Sequence, residues 1–312
     1  MNTQTLIATR ERISPYIHNT PIFTSHLLDD MIGSKLFFKC ENFQKMGAFK
    51  MRGAINAILQ LSEAQQQRGV VTHSSGNFAQ ALSLAAKNLK VPAYIVMPKN
   101  APKVKKDAVM GYGGRITVCE STLLAREVAA EKIVTDKGAT FIHPSNDLNV
   151  ILGNATAGME LLQAHSDLNA IVTPVGGGGL IAGTALAAHY FGSHCKTIGG
   201  EPQIVNDAYR SLQSGQIETN TTVHTIADGL RTHLGDINFP IIKQHVDHII
   251  CVEEDEIVKA LKLLWERLKI VVEPSSAVAF AAVLKNKSYF KDQSVGIILS
   301  GGNVDLETIK FS

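Results

Sequence analysis

The segment that decides the fold reads Ala170-Ile171-Val172-Thr173-Pro174-Val175-Gly176-Gly177-Gly178-Gly179-Leu180-Ile181-Ala182-Gly183. Its first six residues predict a buried strand, the glycines predict a tight turn, and the alanine-containing continuation predicts a helix. Residues without Cβ let backbone N–H groups approach an anion closely, and a helix start adds the positive end of its dipole. The segment therefore predicts a phosphate-binding turn.

Two familiar phosphate motifs do not fit these glycines. No Lys-Ser or Lys-Thr pair follows them, as a P-loop for nucleoside triphosphates requires, and their spacing is not the G-x-G-x-x-G of dinucleotide turns. A phosphate held by backbone alone suits a cofactor that is anchored through its phosphate and reacts at its other end. The alternative is a flexible glycine linker, which the apolar flanks disfavour.

Composition excludes several classes of protein. The chain has 312 residues, of which 45% are hydrophobic and 19% charged, as expected for a globular enzyme with room for two domains. A net charge of +2 and the lack of a basic, aromatic-rich stripe argue against nucleic acid and anionic membranes as partners. No apolar run approaches the ~20 residues of a membrane span, and we expect no signal peptide. Widely spaced cysteines indicate reduced thiols in a cytoplasmic protein: Cys40, Cys119, Cys195 and Cys251.

Strand-like and helix-like segments alternate along the whole chain. This order predicts an α/β fold with parallel sheets flanked by helices. Four strand–helix steps lie between Val70 and Pro144, so we expect a small inserted α/β domain at residues 66–145. The large domain would then combine residues 1–65 with residues 146–312. Helices are expected over Arg52–Leu61 and from about Gly153 to His165.

A candidate nucleophile is Lys50, in the stretch Gly47-Ala48-Phe49-Lys50-Met51-Arg52-Gly53-Ala54. The stretch joins a predicted strand to a predicted helix, and a lysine there, beside an aromatic residue, is placed to be partly desolvated. Desolvation favours the neutral, nucleophilic amine. An amine together with a phosphate turn suggests pyridoxal phosphate (PLP) held as a Schiff base. On spacing alone, a solvated surface lysine is the alternative.

Four motifs follow one another at characteristic separations: Gly47 to Ala54, Ser74-Ser75-Gly76-Asn77, Val175 to Leu180 and Ser300-Gly301-Gly302-Asn303. Together they resemble the serine racemase and serine/threonine dehydratase branch of the PLP enzymes with the tryptophan-synthase-β type of fold, PLP fold type II. The resemblance covers almost the whole chain. It implies a two-domain homodimer that acts on a small amino-acid substrate.

The resemblance also implies how PLP would be held. Lys50 would form the Schiff base and then act as a base on one face of the substrate Cα. Phe49 would pack against the cofactor ring, Asn77 would hydrogen-bond its hydroxyl, and Ser300 would face its pyridine nitrogen. A serine cannot keep that nitrogen protonated as a carboxylate would, so the ring is a weaker electron sink and β-elimination becomes a natural outcome. The phosphate would be held by the backbone of Gly176, Gly177, Gly178 and Gly179, followed by Leu180.

Substrate-binding residues are implied in the turn that contains Ser74, Ser75 and Asn77. The turn resembles the family's substrate-carboxylate loop, and the free N–H groups of the helix that it opens suit a carboxylate. An ordinary N-cap turn is the alternative. Ser75, on the face opposite Lys50, resembles the second base of serine racemases, and two opposed bases are what inversion at Cα requires. Arg126 falls where racemases carry an arginine near the substrate side chain.

Two further sites follow from the resemblance. Glu201 and Asp207 are carboxylates that bracket a turn, and oxygen ligands suit Mg²⁺ or Ca²⁺, although a solvated acidic loop fits the spacing as well. The resemblance implies a divalent ion, Mg²⁺, Ca²⁺ or Mn²⁺, on Glu201, the Val205 carbonyl and Asp207. Tyr112 matches a residue of an allosteric nucleotide site between subunits, which implies ATP as an effector.

The expected function is that of a PLP-dependent serine racemase and serine (threonine) dehydratase. It would interconvert L- and D-serine and eliminate water from β-hydroxy amino acids to give a 2-oxo acid and ammonia. Departures from the family pattern leave the preferred amino acid open: Phe78 and Ala79 replace histidine and glycine, and Asn154 and Ala155 replace glutamine and glycine. The alternatives are a threonine or threo-3-hydroxyaspartate ammonia-lyase with little racemase activity, and a non-catalytic binding protein on the same scaffold.

Overall fold

Two β-sheets with helices packed on them make up the part of the chain that the computed structural model describes, residues 1–306. The strands are β1 (Ile22–Phe23), β2 (Lys35–Cys40), β3 (Val70–His73), β4 (Ala93–Pro98), β5 (Arg115–Cys119), β6 (Thr140–Phe141), β7 (Ala170–Pro174), β8 (Lys196–Pro202), β9 (His248–Val252) and β10 (Ser294–Leu299). The helices are α1 (Thr3–Ile13), α2 (His26–Ile32), α3 (Lys50–Leu59), α4 (Glu63–Arg68), α5 (Asn77–Leu89), α6 (Lys103–Gly111), α7 (Leu123–Lys137), α8 (Leu148–Ala164), α9 (Gly179–Phe191), α10 (Asp207–Ser214), α11 (Asn238–His245), α12 (Glu254–Leu268), α13 (Pro274–Lys285) and α14 (Lys287–Phe290).

The larger sheet has the strand order β1-β2-β10-β7-β8-β9. Every neighbouring pair is parallel except β1 with β2. In the middle of the sheet, Ile297 of β10 pairs with Phe38 on one side and with Val172 on the other. Apolar cores lie on both faces, one with α12 and α13 and the other with α8 and α9. Burial on both faces explains why every residue of β7 is buried and why all but Thr173 are apolar.

The smaller sheet has the order β5-β4-β3-β6, and all of its pairs are parallel. Residues of α3 and α5 share an apolar core with this sheet, and α7 covers it with a smaller apolar cluster. Both sheets confirm the predicted α/β class with parallel strands flanked by helices. The smaller sheet lies between Val70 and Phe141, and the division of the chain into two domains stays a prediction. None of the helices within residues 1–306 has the length and hydrophobicity that a bilayer-spanning segment needs.

Two helices begin earlier than the sequence suggests. Helix α8 begins at Leu148 instead of about Gly153, because the Asp147 side chain accepts a hydrogen bond from the Val150 N–H at 3.0 Å and caps the helix. Helix α3 begins at Lys50 instead of Arg52. The lysine is therefore the first residue of a helix that packs against α8.

A buried group of charged side chains joins α3 to the larger sheet and to α8. The guanidinium of Arg52 has no exposed side-chain surface and lies 2.7 Å from Glu41 and 2.7 Å from Glu160. Lys39 of β2 lies 2.8 Å from the same Glu160, and Arg10 of α1 lies 2.6 Å from it. Because these charges are desolvated, each needs its partners. The group fixes α3, and with it Lys50, against the end of β2.

We predict that Glu160→Gln destabilises the protein by about 3–5 kcal/mol, since it leaves buried cations with too little negative charge. Chemical denaturation would measure the loss in the free energy of unfolding. The matched control is Glu120→Gln, whose partner Lys99 is 2.8 Å away in a pair that is 63% and 68% exposed. That change should cost less than ~1 kcal/mol. Equal losses in the two variants would contradict the structural role of the buried group.

Candidate active site

The four glycines lie between β7 and α9, as the sequence predicts, and the last of them, Gly179, is the first residue of α9. Gly178 has a φ of +82°, a left-handed conformation that favours glycine. A Cβ on Gly177 would lie 2.5 Å from the Ser145 hydroxyl, and one on Gly179 would lie 2.8 Å from the Ser145 carbonyl oxygen. Side chains are therefore excluded, and the backbone N–H groups at the start of α9 are left to face a ligand. This cradle fits a phosphate.

Asparagine side chains hold the glycine loop in place. Asn238 Nδ2 donates to the Gly177 carbonyl at 2.8 Å and to the Ser145 carbonyl at 3.2 Å. Asn154 Nδ2 donates to the Gly179 carbonyl at 3.3 Å, so one of the family departures lies behind the loop, between α8 and α9. These bonds occupy carbonyl oxygens of the loop and of Ser145.

Lys50 presents its amine to two aromatic rings and a carbonyl group. Its Nζ donates to the Pro144 carbonyl at 2.7 Å and lies 4.9 Å from the centre of the Phe49 ring and 5.7 Å from that of Phe78. Burial lowers the pKa of Lys50 to about 8, against the opposing charge of Glu273. The expected desolvation of this lysine is therefore present. Part of the Lys50 side chain stays exposed, so the desolvation comes from the groups packed around Nζ.

The segment that follows β10 runs beside Lys50. The Phe49 N–H donates to the Ser300 carbonyl at 3.0 Å, and Ala48 forms an isolated antiparallel bridge with Gly301. Ser300 is 3% exposed. The structure thus brings together the first and last of the four motifs, so that Phe49, Lys50 and Ser300 belong to one site.

Asn77 joins this group from the smaller sheet. It is the first residue of α5, and its Nδ2 lies 2.9 and 3.1 Å from the two carboxylate oxygens of Glu273. Its Oδ1 accepts a hydrogen bond from Asn303 Nδ2 at 2.9 Å. Sequence reasoning assigned no role to Glu273. The only local signal for it is an acidic residue directly before Pro274 at the start of a helix.

Ser74 and Ser75 lie in the connection between β3 and α5, where the sequence places them. The Ser74 N–H donates to the Val96 carbonyl at 3.2 Å, and the Ser74 hydroxyl accepts from the Gly76 N–H at 3.4 Å. Both serines and Gly76 are partly exposed. Gly76 precedes the helix and offers no capping side chain, so the first N–H groups of α5 remain for a carboxylate ligand.

The charges of Arg126 and Lys50 act on two histidines that sequence reasoning missed. Burial lowers the pKa of His73, and the Arg126 charge adds to this effect. Burial, His73 and Lys50 lower the pKa of His143 to about 4, so His143 is neutral near pH 7. The His73 and His143 rings are 6.2 Å apart. His143 Nδ1 accepts from the N–H groups of Ser145 and Asn146 at 3.2 and 2.8 Å, so the proton of the neutral ring is on Nε2.

The two candidate metal-binding carboxylates bracket the turn that follows β8, with Glu201 near the end of that strand and Asp207 at the start of α10. The Glu201 oxygens accept from the N–H groups of Ala208 and Tyr209 at 2.9 and 2.8 Å, and Asp207 Oδ1 accepts from Asn220 Nδ2. Burial and the Asp207 charge raise the pKa of Glu201 to about 8. Asp207 Oδ2 is buried and makes no hydrogen bond of normal geometry among residues 1–306. Burial raises the pKa of Asp207, against the His233 charge and the N–H groups of Leu234 and Asp207. An orphaned oxygen beside a second carboxylate fits a cation.

Val205 and Tyr112 are the remaining predicted residues. Val205 ends the 3₁₀ turn between Glu201 and Asp207. Over the described length of the chain, no three side chains of the His, Cys, Asp and Glu types gather as metal ligands, and the predicted set needs only two carboxylates and a carbonyl. Tyr112 follows α6 and packs on the apolar core of the smaller sheet. Its nucleotide role stays a prediction.

The fold and this site define a class of enzyme. Residues 13–301 match the family model described as pyridoxal-phosphate dependent enzyme, and the chain belongs to that family. The predicted resemblance is thereby confirmed, as is the assignment to the PLP-dependent enzymes.

Particular members of the family are close in sequence. Serine racemase from Dictyostelium discoideum is 50% identical over 96% of this chain and 94% of that protein. Its crystal structure has a TM-score of 0.94 and 48% identity, covering 98% of this chain and 99% of that one. Beta-hydroxyaspartate dehydratase from Paracoccus denitrificans is 46% identical over 98% of each chain. The crystal structure of a threonine deaminase from T.th. has a TM-score of 0.93 at 40% identity, covering 98% of this chain and 99% of that one.

We predict that Lys50 reacts with PLP at a rate that rises with pH and levels off above about pH 8, because only the neutral amine attacks an aldehyde. The growth of visible absorbance after mixing protein and PLP measures this rate. Lys50→Ala serves as the control and should give no such absorbance. A rate that keeps rising towards the pKa of an ordinary lysine, ~10.4, would show that burial does not act on this amine.

Proposed function

We propose that this chain interconverts L- and D-serine and eliminates water from β-hydroxy amino acids, giving a 2-oxo acid and ammonia. The observation that carries the proposal is the meeting of Lys50, Asn77 and Ser300 at one hydrogen-bonded site beside a cradle for phosphate. The similarity to serine racemase, hydroxyaspartate dehydratase and threonine deaminase supports it. These intact groups also argue against a non-catalytic binding protein.

PLP supplies an electron sink that stabilises negative charge at the substrate Cα. Phe49 would pack against its ring, Asn77 would bond the ring hydroxyl, and Ser300 would accept or donate at the pyridine nitrogen. Because Ser300 is a hydroxyl and not a carboxylate, we infer a weaker sink, which favours departure of a β-hydroxyl group. The phosphate would be bound by the residues of the cradle: Gly176, Gly177, Gly178, Gly179 and Leu180.

Lys50 and Ser75 would move protons on the two faces of the substrate. With a pKa of about 8, the Lys50 amine is half neutral near pH 8, so at neutral pH a much larger fraction can accept the Cα proton than for an ordinary lysine. Return of a proton from Ser75 to the opposite face would give the D-amino acid. Loss of the β-hydroxyl group after proton removal by Lys50 would give the elimination product.

The substrate carboxylate would lie at the start of α5. Backbone N–H groups of the turn, the hydroxyls of Ser74 and Ser75, and the Asn77 amide are hydrogen-bond donors suited to it. The buried Phe78 ring sits beside Lys50 at 5.7 Å from Nζ. A position that commonly carries histidine in the family is thus apolar here, and it cannot take up a proton in competition with the lysine.

A second candidate function is a threo-3-hydroxyaspartate ammonia-lyase with little racemase activity. Arg126 supports it, because its charge acts on His73, whose ring lies 6.2 Å from the neutral His143. A guanidinium and imidazole N–H donors suit a second substrate carboxylate. The relative from Paracoccus denitrificans is named for such a substrate. Threonine carries no second carboxylate, so threonine ammonia-lyase activity would leave Arg126 without a charged group to bind.

We also propose, from the resemblance, a homodimer that binds ATP near Tyr112. From the cysteines and from the order of strands and helices we propose a cytoplasmic protein with a small inserted domain at residues 66–145. The cysteines Cys40, Cys119, Cys195 and Cys251 are free thiols, and reduced thiols are usual in the cytoplasm. Sedimentation with and without ATP tests the assembly. A monomer that does not respond to ATP would contradict both the dimer and the nucleotide site.

For a divalent ion, Mg²⁺, Ca²⁺ or Mn²⁺, we propose Glu201, the Val205 carbonyl and Asp207 as ligands. We predict that each ion that binds raises the melting temperature. At an ion concentration 100 times the dissociation constant, the folded state gains about 2.7 kcal/mol of stability. The effect should be larger above pH 8 than near pH 6, because the proton held by Glu201, with its pKa of about 8, competes with the ion. Asp207→Asn should abolish it, whereas the exposed Asp107→Asn should not. The same rise in Asp207→Asn would contradict these ligands.

The main prediction concerns L-serine incubated with the PLP-loaded enzyme. Ser75→Ala should lower D-serine formation by about 100-fold or more while the 2-oxo acid still forms, because only inversion needs a proton donor on that face. Lys50→Ala should abolish both products, and Ser74→Ala should weaken substrate binding for both alike. Chiral chromatography and a 2-oxo acid assay measure the two products together.

Racemisation that survives in Ser75→Ala would remove the two-base assignment. The same assay with L-threonine and L-threo-3-hydroxyaspartate separates the two candidate functions. If Arg126 recognises a second carboxylate, Arg126→Ala lowers kcat/KM for hydroxyaspartate more than for serine. An equal loss for both substrates would contradict that role.

A further inference from the structure

Glu273 is a buried carboxylate that the proposed roles do not use. It lies directly before α13 and is 4% exposed. Both of its oxygens accept from Asn77 Nδ2, at 2.9 and 3.1 Å, and its own N–H donates to the Gly301 carbonyl at 3.0 Å. Its charge also opposes the loss of the Lys50 proton. Glu273 thus links the start of α13, which packs on the larger sheet, to the start of α5, which packs on the smaller sheet.

The Asn77 amide is held from both sides. The ionised Glu273 carboxylate offers only acceptors to the Asn77 NH₂ group, and Asn303 donates to the Asn77 oxygen at 2.9 Å. Asn303 is itself held, because its Nδ2 also donates to the Met46 carbonyl at 2.8 Å. With an acceptor on one side and a donor on the other, only one of the two amide orientations satisfies every group.

We propose, on the basis of the proposed function, that Glu273 is a positioning residue: it fixes the Asn77 amide so that one Nδ2 hydrogen is held by the carboxylate and the other is free for the cofactor ring hydroxyl. An NH₂ group carries two hydrogens, and the two Glu273 oxygens share one of them. Without Glu273 the Asn77 NH₂ group has no buried acceptor, and only the bond from Asn303 still favours the observed orientation.

The hold on Asn77 depends on the protonation state of Glu273. Burial raises its pKa to about 7, with the Asn77 bond opposing; Asp228 raises this pKa further, whereas Lys105 and the Asn303 N–H lower it. Lys105 and Asp228 lie 2.6 Å from each other. When Glu273 is protonated, one of its oxygens becomes a donor. The two oxygens then no longer both accept the Asn77 hydrogen, and this change occurs as the pH falls through about 7. The ordering of Asn77 therefore changes near neutral pH.

Side-chain amide NMR on the full chain without PLP tests this directly. With ¹⁵N in the asparagine side chains, Asn77→Asp identifies the Asn77 signal by its disappearance. We expect this signal to shift with pH around a midpoint near 7, the pKa of Glu273. The shift should be lost in Glu273→Gln and kept in the control Glu131→Gln, which changes an exposed carboxylate on α7.

A signal that does not respond to pH, or one that titrates unchanged in Glu273→Gln, would overturn the proposal. If Glu273→Gln does not fold, Glu273→Asp decides, because the shorter side chain moves the carboxylate away from Asn77. The amplitude of the shift should then shrink, and an undiminished amplitude would count against the proposal.

A second measurement follows PLP binding. Glu273→Gln should weaken PLP binding about 10-fold at pH 8, the effect of one misdirected hydrogen bond, and Glu131→Gln should not change it. Unchanged PLP affinity in Glu273→Gln would contradict the positioning role. The NMR titration needs neither PLP nor substrate, so it can succeed while the amino-acid assays fail. Such a result would leave the role of Glu273 intact and remove the proposed reaction.

Discussion

The buried guanidinium of Arg52 is the constraint on which the rest of the site depends. It lies two positions after Lys50 on α3, has no exposed side-chain surface and touches both Glu41 and Glu160. Charges in such a place are costly unless each is matched, so the geometry of the whole group is fixed. Fixing Arg52 fixes the start of α3. Lys50, the proposed nucleophile, is thus placed by a buried network of ion pairs.

Close approach of two helices makes that network possible. A Cβ on Gly53 would lie 2.7 Å from Asn154 Oδ1, and a Cβ on Gly153 would lie 2.4 Å from the Arg52 carbonyl oxygen. The two glycines therefore let α3 and α8 pack backbone to backbone, which brings Glu160 within reach of Arg52. The same packing sets the segment before α8 beside Lys50, whose amine donates to Pro144. The close packing of α3 on α8 thus underlies both the buried ion pairs of Arg52 and the desolvation that lowers the pKa of Lys50.

The sequence predicted those parts of the site that local pattern determines. The strand, glycine turn and helix around Gly176, the lysine before a helix, and the serine turn before α5 are each encoded within a few residues. Their boundaries were less exact, because caps such as Asp147 extend helices beyond their apolar periodicity. The α/β class followed from the alternation of segments, which any parallel sheet requires.

Other site residues could not be predicted, because only the tertiary fold brings them to the site. Glu273 meets Asn77 across 196 positions of sequence, and Asn238 reaches the Gly177 carbonyl across 61. His143 gains its lowered pKa from burial and from His73 and Lys50. Local pattern assigns none of these three residues to the site, although Glu273 stands before Pro274 at the start of a helix. They supply much of the orientation and electrostatics that the local motifs need in order to work.

The most direct test of the central claim is to find which lysine carries the cofactor. The protein is loaded with PLP, the link is reduced with borohydride, and the pyridoxyl group is located by mass spectrometry of the digested chain. Because the fold buries one amine beside the phosphate cradle, the modification should fall on Lys50 at one group per chain. A pyridoxyl group spread over surface lysines, or fixed on another lysine, would contradict the site described above.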